Sequence, residues 1–559
     1  MNRNIPVLLI LVSILFVSIA VYGQTSHTTV DTNTRVIDGY AAAFSQLEPG
    51  DTIFLKGGKR DFLLIKNIQG TEGYPIVIIN QDGPLIIDTE HYFGISIQNC
   101  RFFKFTGSGD PSNFYGIRID RVASGGGLGI GAKSSDYEID HVSIRNCPAG
   151  GLNAKTDPDC NLTATRDKFT QYNTLIHDNY IENVGDEGMY IGSTKYFGQN
   201  VNCYGTDTLL MPSLLEGVRV YNNIVEYTGM DGIQVSSATT DCQVFDNMIL
   251  FDSQKEMFAQ MSGITIGGGS KCDCYNNYIS HGKGNGIEVH GLGSLKIYNN
   301  IIIDPGKDFQ PADTSKMRFG IYVTDVSVEA DSSFNILFNT IVNPKSDGIR
   351  FNSILSRNNL IISNIILNPG NYDYYENGPT SFKGEDSYVM IPDDRAEITI
   401  ENNFFSRTFD PSWFIGNTYS PAPGSPMADK AYPNALGILS DYLHHNRLYG
   451  SGYDIGAIEF NPSLYGIDEK PADNTMVLQL FPNPVERWLT IRYHLETSSD
   501  VSLEIYDLKG QRIMEQKQSA MAGEEQNLRV DVSGLAAGIY LYSLNCRNSY
   551  VSGKFIKQK

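Results

Sequence analysis

The sequence predicts an all-β protein: a long solenoid of stacked parallel β-coils followed by a small antiparallel β-sandwich. Three observations carry this. A short phrase recurs along the chain, an Asn recurs at the same place in it, and the pattern stops before the last 80 or so residues. The phrase is clearest at Val218-Arg-Val-Tyr-Asn-Asn-Ile-Val-Glu-Tyr-Thr-Gly-Met-Asp-Gly-Ile-Gln-Val, two short alternating strand patterns around an Asn-Asn pair and a Gly turn. It returns at Cys272-Asp-Cys-Tyr-Asn-Asn, Leu295-Lys-Ile-Tyr-Asn-Asn and Phe334-Asn-Ile-Leu-Phe-Asn. Aligned on the second Asn, the column reads Asn179, Asn223, Asn247, Asn277, Asn300, Asn339, Asn364 and Asn403, with His141 expected above them. Spacings of about 23 to 30 residues are those of a solenoid. Each unit has period-two strands and no helical period, so the stacked element is a β-coil. An Asn repeated at a bend can bond the Asn one coil away and satisfy buried polar groups along the stack.

These repeats resemble the right-handed parallel β-helix of the pectate-lyase type, over roughly residues 50 to 410. The resemblance implies a secreted, carbohydrate-active protein, and β-helices also serve as non-catalytic glycan-binding or structural surface proteins.

In chain order, residues 1–23 read as a signal peptide. Arg3 supplies positive charge, Ile5 to Val21 is apolar, and Val21-Tyr-Gly offers small residues for cleavage. Residues 24–466 form the β-helix with its opening coil and closing segment. Ala41 to Leu47 is expected as a short capping helix, before Pro49-Gly-Asp-Thr-Ile-Phe-Leu opens the first strand. A first coil must cover the open end of the stack. Two long inserts, Lys155 to Gln171 and Ser193 to Glu216, flank one coil and mark a functional edge. Ser425-Pro-Met-Ala-Asp and Tyr453-Asp-Ile-Gly-Ala-Ile-Glu-Phe resemble the closing segment of such proteins. Residues 467–477 are a polar linker. Residues 478–559 carry Leu480-Phe-Pro-Asn-Pro, Val501-Ser-Leu-Glu-Ile-Tyr-Asp and Val532-Ser-Gly-Leu-Ala-Ala-Gly-Ile-Tyr. They resemble the type A C-terminal sorting domain of the type IX secretion system. That resemblance implies a Bacteroidota-type source, the type IX machinery as a partner, and a secreted or outer-membrane-surface destination.

The formal net charge is −20. A nucleic-acid partner, which needs a basic face, is excluded as an expectation, and the protein is expected to be a monomer. Of the eight cysteines, Cys242, Cys272 and Cys274 are expected as an inward-facing thiol stack. Cys160 and Cys203 lie in the two inserts, where an oxidising route would let them pair.

The residue before the turn Gly reads Glu187, Asp231, Ser262, Asn285, Phe319 and Asp347 down the stack. Glu187 and Asp231 belong to successive coils, about 4.8 Å apart, and Asp186 stands beside them. Such acids suit a Ca²⁺ site or an acid/base pair, although Asp and Asn also suit a turn before Gly. The following strand turns Tyr190, Gln234, Thr265, Glu288, Tyr322 and Arg350 outward, then Ser236, His290, Thr324 and Asn352. Tyr190, Gln234 and Tyr322 are the expected substrate-binding residues, because aromatic faces and amides suit sugars. Glu288, His290, Arg350 and the insert residue Lys195 are the expected catalytic ones. Asp186, Glu187 and Asp231 are the expected metal ligands. The expected partner is an acidic polysaccharide, cleaved by a lyase-type elimination. The alternatives are a non-catalytic glycan binder and a hydrolase. Ile176-His-Asp-Asn-Tyr-Ile-Glu-Asn-Val-Gly-Asp-Glu-Gly loosely resembles the acid-bearing coil of alginate- and chondroitin-cleaving lyases. Met230-Asp-Gly-Ile and Val289-His-Gly match only fragments of the polygalacturonase-type signature.

Overall fold

The computed structural model describes the chain except residues 1–26, 111, 311–316, 378–386, 416–418, 435, 461–478, 484, 496–497, 508–511, 522, 524, 537, 547–548 and 558–559. The expected signal peptide and linker lie outside the described residues. Parallel strands wind into a right-handed β-helix. A 23-stranded sheet, bent at one corner, forms two faces, and a 12-stranded sheet forms the third. Ile, Val and Leu alternate into a dry interior, from Ile37 and Ile53 through Ile233 and Val235 to Ile366 and Val389.

The bend between the two faces is the Asn column. Nδ2 of Asn179, Asn223, Asn247, Asn277, Asn300, Asn339 and Asn364 each donates to Oδ1 of the next Asn, at 2.9–3.1 Å. Each ladder Asn follows a residue with φ near +55°, such as Asp178, Asn222 and Asn276. His141 does not belong to this column. It has φ +55° and pairs in register with Asp178, so Val142 takes the ladder position and its N–H donates to Asn179.

Four residues past each ladder Asn lies a second corner, also left-handed: Asn183, Tyr227, Phe251, His281, Asp304, Asn343 and Asn368. Its side chains ladder on the outside. Asn183 bonds Asn146 at 2.7 Å, Tyr227 stacks on Phe251 at 4.7 Å, and Asn368 bonds Asn343 at 2.8 Å.

Ala41–Leu47 forms consecutive turns rather than a helix, with Phe44 N–H bonded to the Ala41 carbonyl. Seven residues give too few hydrogen bonds to sustain a helix without further packing. The closing segment folds back along the outside of the coils. Met427, Ile438, Ile455 and Ile458 cover Ile301, Leu337 and Ile365, and buried Arg447 bonds Asn299 at 2.7 Å.

Cys242 and Cys272 face each other on neighbouring strands and are joined as a disulfide, which corrects the expected thiol stack. Cys274 remains a buried thiol. Inward-facing cysteines in register on adjacent coils stand close enough to bond.

Residues Gln479–Phe481, Trp488–His494 and Glu525–Asp531 form one antiparallel sheet, and a four-stranded antiparallel sheet faces it. Leu489, Ile491, Ile505, Val530 and Phe555 fill the space between them. This sandwich rests on the β-helix through Tyr506 and Leu541 against Phe114, Tyr115 and Tyr180. Lys554 reaches across to the carbonyls of Asn223 (3.3 Å) and Asp246 (2.6 Å).

Candidate functional site

Strands of three to five residues on the 12-stranded sheet place the outward row. Tyr190 pairs with Gln234, Gln234 with Thr265, Thr265 with Glu288, Glu288 with Tyr322, and Tyr322 with Arg350. The expected row is therefore in register, and strand alternation alone puts these six side chains on one face.

Glu288 is the most heavily bonded of them. Its carboxylate lies 2.8 Å from His290 Nε2 and accepts from Ser262 Oγ (2.9 Å) and Asn285 Nδ2 (2.8 Å). Burial pushes this carboxyl up, but the bonds and the charge of His290 outweigh it and hold Glu288 below the usual range. His290 Nδ1 lies 2.6 Å from Thr324 Oγ1, whose own hydrogen goes to the Val289 carbonyl. Both ring nitrogens of His290 are thus engaged, Nε2 by Glu288 and Nδ1 by Thr324.

Asp231 is 1% exposed, and its Oδ1 has no partner among the described residues. Burial, then the charges of Glu288 and Glu187, drive its carboxyl well above the usual range, against a hydrogen bond from Thr265. Gln234 Oε1 is likewise buried without a partner. Glu187 is raised by burial and by Asp186, and bonds Gln260 Nε2 at 2.8 Å. Asp347 is pushed up to about 6 by burial, although Arg350 Nη1 lies 3.1 Å away.

Asp186, Glu187 and Asp231 are not gathered into one ligand set. Asp186 turns to Lys255 at 3.3 Å and Glu187 to Gln260 at 2.8 Å, so among the described residues these oxygens do not converge on one point as a Ca²⁺ cage needs. Among the described residues, the group whose donor atoms converge is Glu138, Asp140 and His177. There the Lys104 ammonium already fills the charge role, 2.6 Å from Glu138 and 3.0 Å from Asp140.

Lys195 is exposed on its insert, beside Tyr196, whose ring packs against the backbone of Gly269. Gly269 has φ +76°, and a Cβ there would meet the Tyr196 ring at 2.0 Å. Tyr190 bonds Thr194 at 2.9 Å and lies under the Lys155 ammonium at 4.9 Å. Tyr322 accepts from Asn352 at 3.2 Å. The two long inserts are joined by the Cys160–Cys203 disulfide and by a bridge from Thr165 to Pro212.

Sequence reasoning missed Lys155 as a neighbour of Glu187, Lys255 and Gln260 on the insert 251–261, and Arg318 beside Glu288. All belong to inserts, which carry no period. The one available signal was that Lys155 opens an insert already marked as functional.

The chain folds as a right-handed parallel β-helix followed by an antiparallel sandwich, and the sandwich's match to a secretion sorting domain indicates export by type IX secretion to the cell surface or beyond. Residues 213–405 match the right handed beta helix region family, and residues 479–558 match the secretion system C-terminal sorting domain. No curated protein sequence matches the chain. Among solved structures it is similar to the GH136 lacto-N-biosidase from Eubacterium ramulus, at 12% identity and TM-score 0.43, covering 65% of this chain. The chain spans 63% of that enzyme's length. It is also similar to the alginate lyase from Paenibacillus sp. str. FPU-7, at 13% identity and TM-score 0.35, covering 59% of this chain and 99% of the lyase. The pectate lyase Pel9A follows at 12% identity and TM-score 0.36, covering 77% and 97%.

Proposed function

We propose that this protein cleaves a glycan on the 12-stranded sheet, with Asp231 as proton donor and Glu288 as the ionised carboxylate. The geometry that supports this reading is the contrast between two carboxyls: Asp231 is 1% exposed with Oδ1 unpartnered among the described residues, whereas Glu288 is held by Ser262, Asn285 and His290. Burial raises the first and the three donors lower the second, the kind of split that divides acid from base. Thr265 stands in the outward row between Gln234 and Glu288, on the coil between those of Asp231 and Glu288. In hydrolysis, the Asp231 proton passes to the glycosidic oxygen as its bond to the sugar carbon breaks. Glu288 takes the proton of the water that adds to that carbon, or attacks the carbon itself. Tyr190 and Tyr322 supply ring faces for sugars.

A second reading is elimination on an acidic glycan. It is favoured by Arg318 beside Glu288 and by Arg350 at the end of the row, which would neutralise a uronate carboxylate. Glu288 would then remove the proton next to that carboxylate, and Asp231 would protonate the leaving oxygen.

The test is to incubate the full chain with neutral glycans, pectin, alginate and glycosaminoglycans. A reducing-end assay reports hydrolysis, and ultraviolet absorbance reports unsaturated ends. New reducing ends from a neutral glycan, absent in Asp231→Asn and in Glu288→Gln, support hydrolysis. Ultraviolet-absorbing product from a uronate polymer supports elimination. Silence in both assays with retention on a glycan column would replace cleavage with binding.

A further inference from the structure

A second groove lies where the chain passes from the 12-stranded sheet back to the long sheet, on the early coils. It holds about 470 Å³. Its lining carries Arg101, Lys133, Arg166 and Lys168 against a single carboxylate, Asp167. In a chain of formal net charge −20, four cations in one concavity are a local reversal of sign. Grooves lined by one sign focus the field and attract the opposite charge.

The cations come from three successive passes of the chain and are held in place. Arg101 Nε is bonded to Asp136 Oδ2 at 2.8 Å, which fixes its guanidinium at the wall. The Lys133 N–H donates to Thr156 Oγ1 at 2.9 Å, tying that turn to the first insert. Arg166 stacks on Tyr196 at 4.4 Å and donates to the Tyr196 carbonyl, while its Nε is buried without a partner among the described residues. The backbone of Arg166 is bonded to the Met211 carbonyl at 3.1 Å, so the second insert braces the first. The Cys160–Cys203 disulfide closes that brace. Lys133 and Lys168 remain exposed, and Tyr172 presents a ring that is 39% exposed. A preformed groove with several cations, one aromatic face and the amides of Gln69 and Asn99 fits a chain of sugars bearing negative groups.

The geometry points to this groove as a binding site for an anionic polysaccharide, carboxylated or sulfated, separate from the acid-lined row. It goes beyond the proposed cleavage and does not depend on it. Dextran sulfate is the probe and neutral dextran of the same length the control, titrated into the full chain by calorimetry at low and high salt. The expected result is binding of dextran sulfate alone, weakening as salt rises. The double substitution Lys133→Glu with Lys168→Glu, both at exposed positions, weakens it about tenfold or more. Lys430→Glu, on the distant closing segment, leaves it unchanged. No binding at low salt, equal binding of neutral dextran, or equal affinity of the double variant would each overturn the assignment.

Discussion

Asp231 and Glu288 lie two coils apart with Thr265 between them, and their carboxyls are displaced in opposite directions. Burial raises both. The difference is that Glu288 receives Ser262, Asn285 and His290, whereas Asp231 faces three negative neighbours, Glu288, Glu187 and Asp252.

Asp231→Asn keeps the shape and the neutral charge of a protonated carboxyl but has no proton to give. Turnover is expected to fall by about 10²–10⁴-fold. The thermal midpoint at neutral pH should rise, because the raised carboxyl opposes folding there. The sign follows from linkage: a folded-state value above the unfolded one gives a stability that is full at low pH and declines as pH rises. Thermal unfolding of wild type and variant across pH 4 to 8 checks this, roughly spanning the carboxyl range. A variant with the same midpoint and the same slope would place the Asp231 proton elsewhere.

Asn277 donates to Asn300 and accepts from Asn247, both at 3.0 Å, in the dry corner of the coil. Asn277→Ala removes the oxygen that accepts from the Asn247 backbone N–H and the amide that donates to the Val244 carbonyl, leaving the buried Asn247 N–H without that partner, which costs about 1–3 kcal/mol. Asn276→Ala, one residue earlier, adds a different cost, because Asn276 sits at φ +54° where Ala is strained. Denaturant midpoints of the two variants measure each, and a midpoint for Asn277→Ala equal to wild type would contradict the ladder's role.

The two disulfides should separate by access. Cys160 and Cys203 are half-buried in the inserts, while Cys242 is 4% and Cys272 0% exposed. Reduction needs a thiolate to reach sulfur, so mild reductant should open Cys160–Cys203 first. Peptide mapping after alkylation should show label at 160 and 203 only. Proteolysis should then concentrate within 155–216. Simultaneous labelling of all four would mean that the coil opens under those conditions.

His177 bonds Asp178 at 2.7 Å and Glu138 at 3.1 Å. Burial alone would lower the imidazole, but these bonds raise it to about 9 from an ordinary 6.5. A raised histidine stabilises fully below its unfolded value, and that contribution is lost as pH climbs through the folded one. Stability should therefore fall between pH 6.5 and about 9. In His177→Gln this decline should flatten, as read from denaturant midpoints at successive pH values. An unchanged slope would assign the transition to another group.

The sequence by itself determined what repeats. A period of 23 to 30 residues, an Asn at each bend and strict alternation dictate the coil, the ladder, the outward row from Tyr190 to Arg350 and the turn acids. It also marked Cys160 and Cys203, because both lie in long inserts beside one coil. What does not repeat was left to the tertiary structure. It decided that Gln260, Lys255 and Arg318 lean onto the acids, that the closing segment folds back over Ile301 and Leu337, and that Lys554 docks the sorting domain. It also shifted His141 by one residue and joined Cys242 to Cys272. The physical reason is that backbone hydrogen bonds between coils enforce a register that local pattern can read. Insert positions and carboxyl charge states depend instead on burial and on partners far away in the chain, which no local pattern encodes.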